Sequence, residues 1–160
     1  MKKIALAIVE LHRSERTLAR TLRAAAARHH SDQDISHLAE DLARWSDDHV
    51  RALAQHGRHY GLRLSARPRR VRVTRWVQER VSAVLRRRPE PALLLLADLR
   101  RIHRTAAGVS LDWELLGQGA QATKDHELLQ LTARCHPQAL RQMRWSNAML
   151  KELSPQALST

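Results

Sequence analysis

Three residues of this chain combine a metal-binding side chain with an interior position in a long amphipathic segment. Glu15 interrupts an apolar stripe that runs from Ile4 to Ala25 at spacings of three and four, and His49 interrupts the stripe of the next segment. His103 lies in the third segment. Carboxylate oxygens and imidazole nitrogens are ligands for iron, manganese and zinc. If the three meet inside the fold, Glu15, His49 and His103 predict a metal site.

The same residue types have a purely structural interpretation, which stays open beside the first. An ion pair or hydrogen bond between Glu15 and His49 would satisfy both groups and fix the register of two helices. A two-metal site needs several carboxylates, whereas the spacing places Glu15 in the interior and offers only Asp48 as a further candidate. The low ligand count favours the structural interpretation.

Four long segments carry apolar residues at spacings of three and four, a pattern typical of helices packed in a bundle. The first two predicted helices form a hairpin over residues 3–61, turning at the capping pair Ser31 and Asp34 and stopping at Gly61. The last two form a hairpin over residues 90–153, with Thr123 as the cap between them. Within the fourth helix, Pro137 predicts a kink or break, and Ser154-Pro155 predicts its end.

Residues 62–89 form a basic connector that is too long for a simple turn between the hairpins. Apolar residues within it predict a short amphipathic helix over about residues 71–87. A crossover of this length returns the chain to the far end of the bundle, so that the third helix runs parallel to the second. Residues 1–160 are then one domain, and Glu15, His49, His103 and Gln142 are expected within roughly one turn of the same height.

Charge is concentrated around this connector. The chain has a net charge of +12 at pH 7, and residues 63–104 hold 13 arginines against three acidic residues. An exposed patch of this kind attracts phosphate and predicts salt-sensitive binding to nucleic acid, although an acidic protein partner fits it equally well and a solvated arginine face is the plain alternative. The predicted patch consists of Arg69, Arg70, Arg72, Arg75, Arg86, Arg87 and Arg88.

Other features narrow the class of protein. A single cysteine, Cys135, excludes an internal disulfide. The apolar run after Lys2-Lys3 stops at Glu10, which is short for a signal peptide, and no apolar stretch approaches 18 residues. We therefore expect a cytoplasmic protein without a membrane partner.

Two smaller groups of reactive side chains carry little weight. His56 and His59 could share a metal but lack further ligands in the sequence, and Cys135 with His136 does not predict a catalytic pair.

The two-hairpin layout, with Glu15 on the first helix and His49 on the second, resembles the ferritin-like superfamily over nearly the whole chain. The resemblance implies an all-α four-helix bundle with a long crossover and, at its centre, iron or manganese. Such proteins carry Glu on the first and third helices and Glu-x-x-His on the second and fourth. Here Ser46 stands where the second helix would carry Glu, and Gln138 stands near an expected acid. The resemblance thus implies a kept scaffold with a reduced metal site.

Three functions follow from these observations. The leading prediction is a non-catalytic helical bundle that needs no cofactor and acts as a binding or oligomerisation module, as a homo-oligomer or with another protein. The second is a metal-binding ferritin-like protein that uses Glu15, His49 and His103. The third is a nucleic-acid-associated protein that uses the arginine-rich connector.

Overall fold

A computed structural model describes residues 3–68 and 90–159 of the chain, and within these ranges the fold is all-α. Helices and turns account for its regular structure there, without a strand, which confirms the predicted all-α class. None of the helices in the described ranges is long and apolar enough to span a membrane. The elements are α1 (Lys3–Arg28), α2 (Gln33–Gly57), a 3₁₀ turn (Arg58–Tyr60), α3 (Pro91–Ala122) and α4 (His126–Ser159).

Helix α1 packs against α2 and α3, and α4 packs extensively against α3 and more sparsely against α2. The direction of α3 follows from contacts at both ends of α1. At one end, His29 Nε2 lies 2.8 Å from an Asp98 carboxylate oxygen near the start of α3. At the other end, Ile4 lies beside Gly119 near the end of α3. Helices α1 and α3 are therefore antiparallel, so α3 runs parallel to α2, as the crossover predicted.

The interior is built from leucine, isoleucine and alanine, and the predicted stripes of α1 and α3 are largely its buried faces. In α2 the apolar spacing predicts Leu38 and Trp45 as buried members of the stripe. In the structure Leu38 is 41% exposed and Trp45 is half-buried, whereas Ala39 and Ala43 are buried. The reason is that α2 faces both α1 and α4 and so buries two adjacent rows of small residues. A sequence pattern with a single apolar stripe does not predict the second buried row.

Aspartates start two of the helices, where the sequence predicted Ser31 and Thr123. Asp32 Oδ1 accepts a hydrogen bond from the backbone N–H of Ile35 at 3.1 Å, and Asp125 Oδ1 accepts one from Leu128 N–H at 2.9 Å. A carboxylate at this position both caps a free N–H and interacts favourably with the helix dipole.

The predicted stop at Gly61 is confirmed. Gly61 adopts a φ of 74°, in the left-handed region, and Leu62 N–H donates to the Gly57 carbonyl at 3.0 Å. This closes the end of α2 and its 3₁₀ turn in the manner of a Schellman motif.

Two predictions about α4 are wrong: the helix neither breaks at Pro137 nor ends at Ser154-Pro155. Helix α4 continues through both prolines to Ser159. A proline inside a helix removes one backbone hydrogen bond and strains the preceding turn. On either side of Pro137, however, Cys135 and Ala139 are buried in the core, and their packing holds the helix together.

The chain leaves α2 alongside α1. Leu62 and Leu64 pack against the core, and His12 Nε2 donates to the Ser65 carbonyl at 2.9 Å. The predicted connector helix over about residues 71–87 lies outside the described residues. The arginine patch predicted at Arg69, Arg70, Arg72, Arg75, Arg86, Arg87 and Arg88 lies outside them as well.

Candidate functional site

A chain of hydrogen-bonded polar side chains crosses the middle of the bundle. Glu15 Oε1 accepts from His49 Nδ1 and from Trp113 Nε1, each at 2.7 Å. On its other side, His49 Nε2 lies 2.7 Å from Gln138 Oε1. We call these four residues, one from each helix, the central polar layer. Glu15 and Trp113 are 0% exposed and His49 is 1% exposed, so these three are shielded from solvent, whereas Gln138 is half-buried.

Helical periodicity places these polar groups in the interior. Glu15 occupies an inward position of α1 between Leu11 and Leu18, which are both fully buried. Trp113 occupies the equivalent inward row of α3, and its indole ring meets the His49 ring edge to face, with centroids 5.5 Å apart. A buried indole N–H needs an acceptor, and the Glu15 carboxylate supplies one.

The surroundings of His49 favour its protonated form. Burial alone lowers the pKa of His49, but hydrogen bonds with the Cys135 sulfur and with Glu15, together with the charge of Glu15, raise it to about 10. Both ring nitrogens also lie at hydrogen-bond distance from carboxylate or amide oxygens, and only the imidazolium form donates from both. The layer is therefore a buried ion pair between His49 and Glu15, extended by two neutral side chains.

This chemistry bears on the predicted metal site. A protonated imidazole has no lone pair left for a metal, and Glu15 Oε1 already accepts two hydrogen bonds. The donor set around the pair adds an indole and an amide, neither of which is a carboxylate ligand of the kind that iron or manganese prefers. The residues present thus fit iron or manganese poorly, and the arrangement favours the structural interpretation.

His103 is not brought to Glu15 and His49. Its Nδ1 donates to the Met143 carbonyl at 3.2 Å. The residue of α3 that contacts Glu15 is Trp113, ten positions further along, which corresponds to about 15 Å of helix. The expectation of a common height was wrong for His103, because the register of α3 against α1 is set across the connector and cannot be read from either hairpin.

Asp48, the other candidate carboxylate, is exposed and pairs with Arg51 on the surface of α2. Cys135 is a buried, free cysteine within the hydrophobic core. The adjacent His136 points to α3 instead, where its Nε2 lies 3.0 Å from Ser110 Oγ. Sequence reasoning missed Trp113 as a hydrogen-bond donor, although a tryptophan within an apolar stripe is a signal that a buried acceptor lies nearby.

A second amide supports the layer from one turn away. Gln142 is fully buried, and its Nε2 donates to the Leu42 carbonyl at 2.8 Å and to Ser46 Oγ at 2.9 Å. Ser46 stands at the position where the ferritin-like pattern carries Glu. Its hydroxyl therefore takes part in helix–helix contact between α2 and α4.

A different group of potential ligands lies near the end of α2. His56, His59 and Glu127 place one nitrogen or oxygen each within 4.8 Å of one another. We call them the histidine cluster. His56 is buried, whereas His59 and Glu127 are exposed, and the cluster lines an open groove between α2 and α4. Among the described residues, the histidine cluster alone brings three His, Cys, Asp or Glu side chains close enough together to hold a metal ion.

Comparison of the chain with protein-family models, with curated proteins and with solved structures found no match in any of the three.

Proposed function

We propose that the chain is a non-catalytic, ferritin-like helical bundle that acts as a self-association module through the outer face of α3. The observation that carries the proposal is a pair of leucines on this face, Leu111 and Leu115, which are 65% and 66% exposed. The central polar layer supports the non-catalytic part, because Glu15 Oε1, His49 and Trp113 are hydrogen-bonded to one another and buried.

The outer face of α3 is a continuous row of exposed residues. They recur at spacings of three and four, and so lie along one side of the helix. Burying a leucine side chain contributes about 1.5–3 kcal/mol, so two exposed leucines on each copy are a substantial driving force for association. The row consists of Leu93, Ala97, Arg101, Arg104, Gly108, Leu111 and Leu115.

A second copy of the chain fits this face. Gly108 lies in the middle of the row, and a Cβ added there would meet nothing within 4 Å, so another backbone can approach closely. Arg104 lies one turn before Gly108 and Asp112 one turn after it. In an isologous pair of antiparallel α3 helices that cross at Gly108, Arg104 lies opposite the partner subunit's Asp112. The face thus allows close approach at Gly108 and pairs opposite charges at Arg104 and Asp112.

The ferritin-like part of the proposal is supported by the helix arrangement. Helices α2 and α3 run parallel on either side of the crossover, with Glu15 and His49 meeting at mid-height. That is the layout of ferritin-like bundles with one long connection.

Light scattering coupled to gel filtration tests self-association. We expect a dimer for the natural chain and a monomer for Leu111→Glu combined with Leu115→Glu. The matched control is Leu6→Glu combined with Leu158→Glu, which alters two leucines that are 50% and 71% exposed on other helices, and should leave the dimer intact. A natural chain that is monomeric at 100 μM would overturn the proposal. An unchanged mass for the Leu111 and Leu115 variant with a lowered Tm would also overturn it, since the face would then be covered within one chain.

A further inference from the structure

We propose that His56, His59 and Glu127 bind a divalent transition-metal ion of the zinc type at the groove between α2 and α4. This site lies apart from the central polar layer and from the outer face of α3. The inference goes beyond the proposed function, because it concerns a ligand and not self-association.

The distances within the histidine cluster already approach those of a metal site. The donor atoms lie within 4.8 Å of one another, and His59 Nδ1 lies 3.6 Å from Glu127 Oε2. Ligands of a tetrahedral zinc ion lie about 2.0–2.2 Å from the metal, so they are separated by roughly 3.3–3.6 Å. Small rotations of the exposed His59 and Glu127 side chains are enough to close the remaining gap.

Local backbone structure brings the two histidines onto one side. His56 lies in the last turn of α2, and His59 lies in the 3₁₀ turn that follows. In a 3₁₀ helix, residues three positions apart stand almost directly above each other. The rings accordingly meet edge to face, with centroids 5.1 Å apart. Because of the tighter turn, two histidines three positions apart lie side by side and can bind the same metal ion.

The third ligand comes from the far end of the sequence. Glu127 lies in the first turn of α4, whose start is fixed by the Asp125 cap on the Leu128 N–H. The sequence alone could not supply this ligand, because it is separated from the histidines by the connector and the whole of α3. The α2–α4 antiparallel packing brings it to them.

Asp125 also holds one of the histidines in place. His56 Nε2 lies 3.4 Å from Asp125 Oδ2, and the same oxygen accepts a hydrogen bond from the Tyr60 hydroxyl. Histidine ligands commonly donate their second ring N–H to a carboxylate, which orients the ring and raises its basicity. Here that contact leaves the other ring nitrogen of His56 for the metal, and Tyr60 in turn fixes the carboxylate.

The donor set indicates the class of metal. Two imidazoles and one carboxylate suit zinc, nickel, cobalt or copper, whereas magnesium and calcium prefer oxygen ligands alone. Three protein ligands beside an open groove leave a fourth position for water. The bound ion would join the end of α2 to the start of α4. Of the neighbouring helix pairs, α2 and α4 are packed most sparsely.

Isothermal titration of zinc chloride into tag-free protein, freed of metal by chelation, tests the site. We expect one zinc ion per chain, and a rise in Tm of about 5–10 °C when zinc is present at 100 times its Kd. His59→Ala and Glu127→Gln should each weaken zinc binding at least tenfold. Both side chains are exposed, so the variants should keep the far-UV circular dichroism of the natural chain.

The matched control is His37→Ala, which removes an exposed histidine from the same helix, away from the cluster. It should bind zinc as the natural chain does. The proposal is overturned if the natural chain binds no zinc at 100 μM. It is equally overturned if His59→Ala and Glu127→Gln retain the affinity, or if His37→Ala loses it to the same degree.

Discussion

His49 Nδ1 lies 2.7 Å from Glu15 Oε1 at the centre of the bundle, and neither side chain is more than 1% exposed. Few contacts in the described part of the chain join helices with so little access to water. The pair therefore sets the register of α1 against α2, and it also determines how the protein responds to mutation and to pH.

Removal of one member of the pair should be far more damaging than removal of both. We expect Glu15→Leu or His49→Leu alone to lower the free energy of unfolding by about 3–5 kcal/mol, because each leaves a buried group unpaired. The double variant should return close to the natural stability. Apolar replacement of a buried ion pair is neutral or stabilising by about 1–4 kcal/mol, whereas the Trp113 N–H and the Gln138 amide, which lose partners, cost about 1–3 kcal/mol.

Urea denaturation of the two single variants and the double variant, analysed as a double-mutant cycle, measures this coupling. The control is Glu10→Leu, which alters an exposed carboxylate on α1 and should change stability by less than about 0.5 kcal/mol. Additive effects of the two central substitutions would contradict a paired role.

Stability should fall with rising pH above neutrality. The folded-state pKa of His49 is about 10, raised from the ordinary 6.5, so its contribution is fully present below about pH 6.5 and is lost as pH rises through about 10. Denaturation between pH 7 and pH 10 should show this decline, and the Glu15→Leu, His49→Leu double variant should show less of it. Burial lowers the pKa of His12, so its titration changes stability below this pH range. The pKa of Tyr60 is raised to about 12, so its titration changes stability above this pH range. Equal slopes for both proteins would exclude a charged His49.

Charge reversal should test the orientation of the proposed dimer. In an antiparallel pair that crosses at Gly108, Arg104→Asp places two acids opposite each other and should weaken dimerisation about tenfold. Adding Asp112→Arg to the same chain restores opposite charges and should recover the affinity. Analytical ultracentrifugation over a concentration series measures both constants. Failure of the second substitution to rescue the first would rule out this orientation.

The arginine-rich connector should be tested as a nucleic-acid site. If Arg69, Arg70, Arg72 and Arg75 contact phosphates, binding to single-stranded RNA should weaken linearly on a logarithmic salt scale, with a slope of about −0.7 for each contact. Replacing these four with glutamine should remove a corresponding part of the slope. Fluorescence anisotropy at several salt concentrations provides the measurement. No binding near 50 mM salt, or a flat response to salt, would reject this function.

Iron or manganese at Glu15 and His49 is the remaining alternative. In its favour, Glu15 Oε2 is a buried oxygen that accepts no hydrogen bond from the described residues. Because His49 is held as a cation, we expect elemental analysis of tag-free protein to find less than 0.1 iron or manganese per chain. The Tm should also be unchanged when either metal is added. Stoichiometric metal that disappears in the Glu15→Leu variant would contradict the ion-pair interpretation.

The sequence predicted the fold more fully than the site. Periodicity within each helix and the length of the connector were sufficient to predict four helices in two hairpins, with α2 parallel to α3. The contact between Glu15 and His49 was also predictable, because both lie in one hairpin whose short turn fixes the register. Pro137 shows the limit of local rules, since tertiary packing on both sides keeps α4 helical where proline alone predicts a break.

Relations between the two hairpins were beyond such reasoning. His103 was placed at the wrong height because the offset of α3 against α1 depends on a tertiary contact, the bridge from Arg28 and His29 to Asp98. The hydrogen bond from Trp113 to Glu15 could not be predicted for the same reason. Likewise, Glu127 could not be joined to His56 and His59 without knowledge of how α4 lies against α2.

The antiparallel contact of every neighbouring pair of helices has an electrostatic consequence. Each end of the bundle presents two amino termini and two carboxyl termini, namely those of α1 and α4 against α2 and α3, so the four macrodipoles nearly cancel. The dipoles of these four described helices therefore make neither end a general trap for anions or cations. The electric field that an approaching ion encounters is therefore determined by charged side chains, and a charge-changing substitution on the surface alters that field directly.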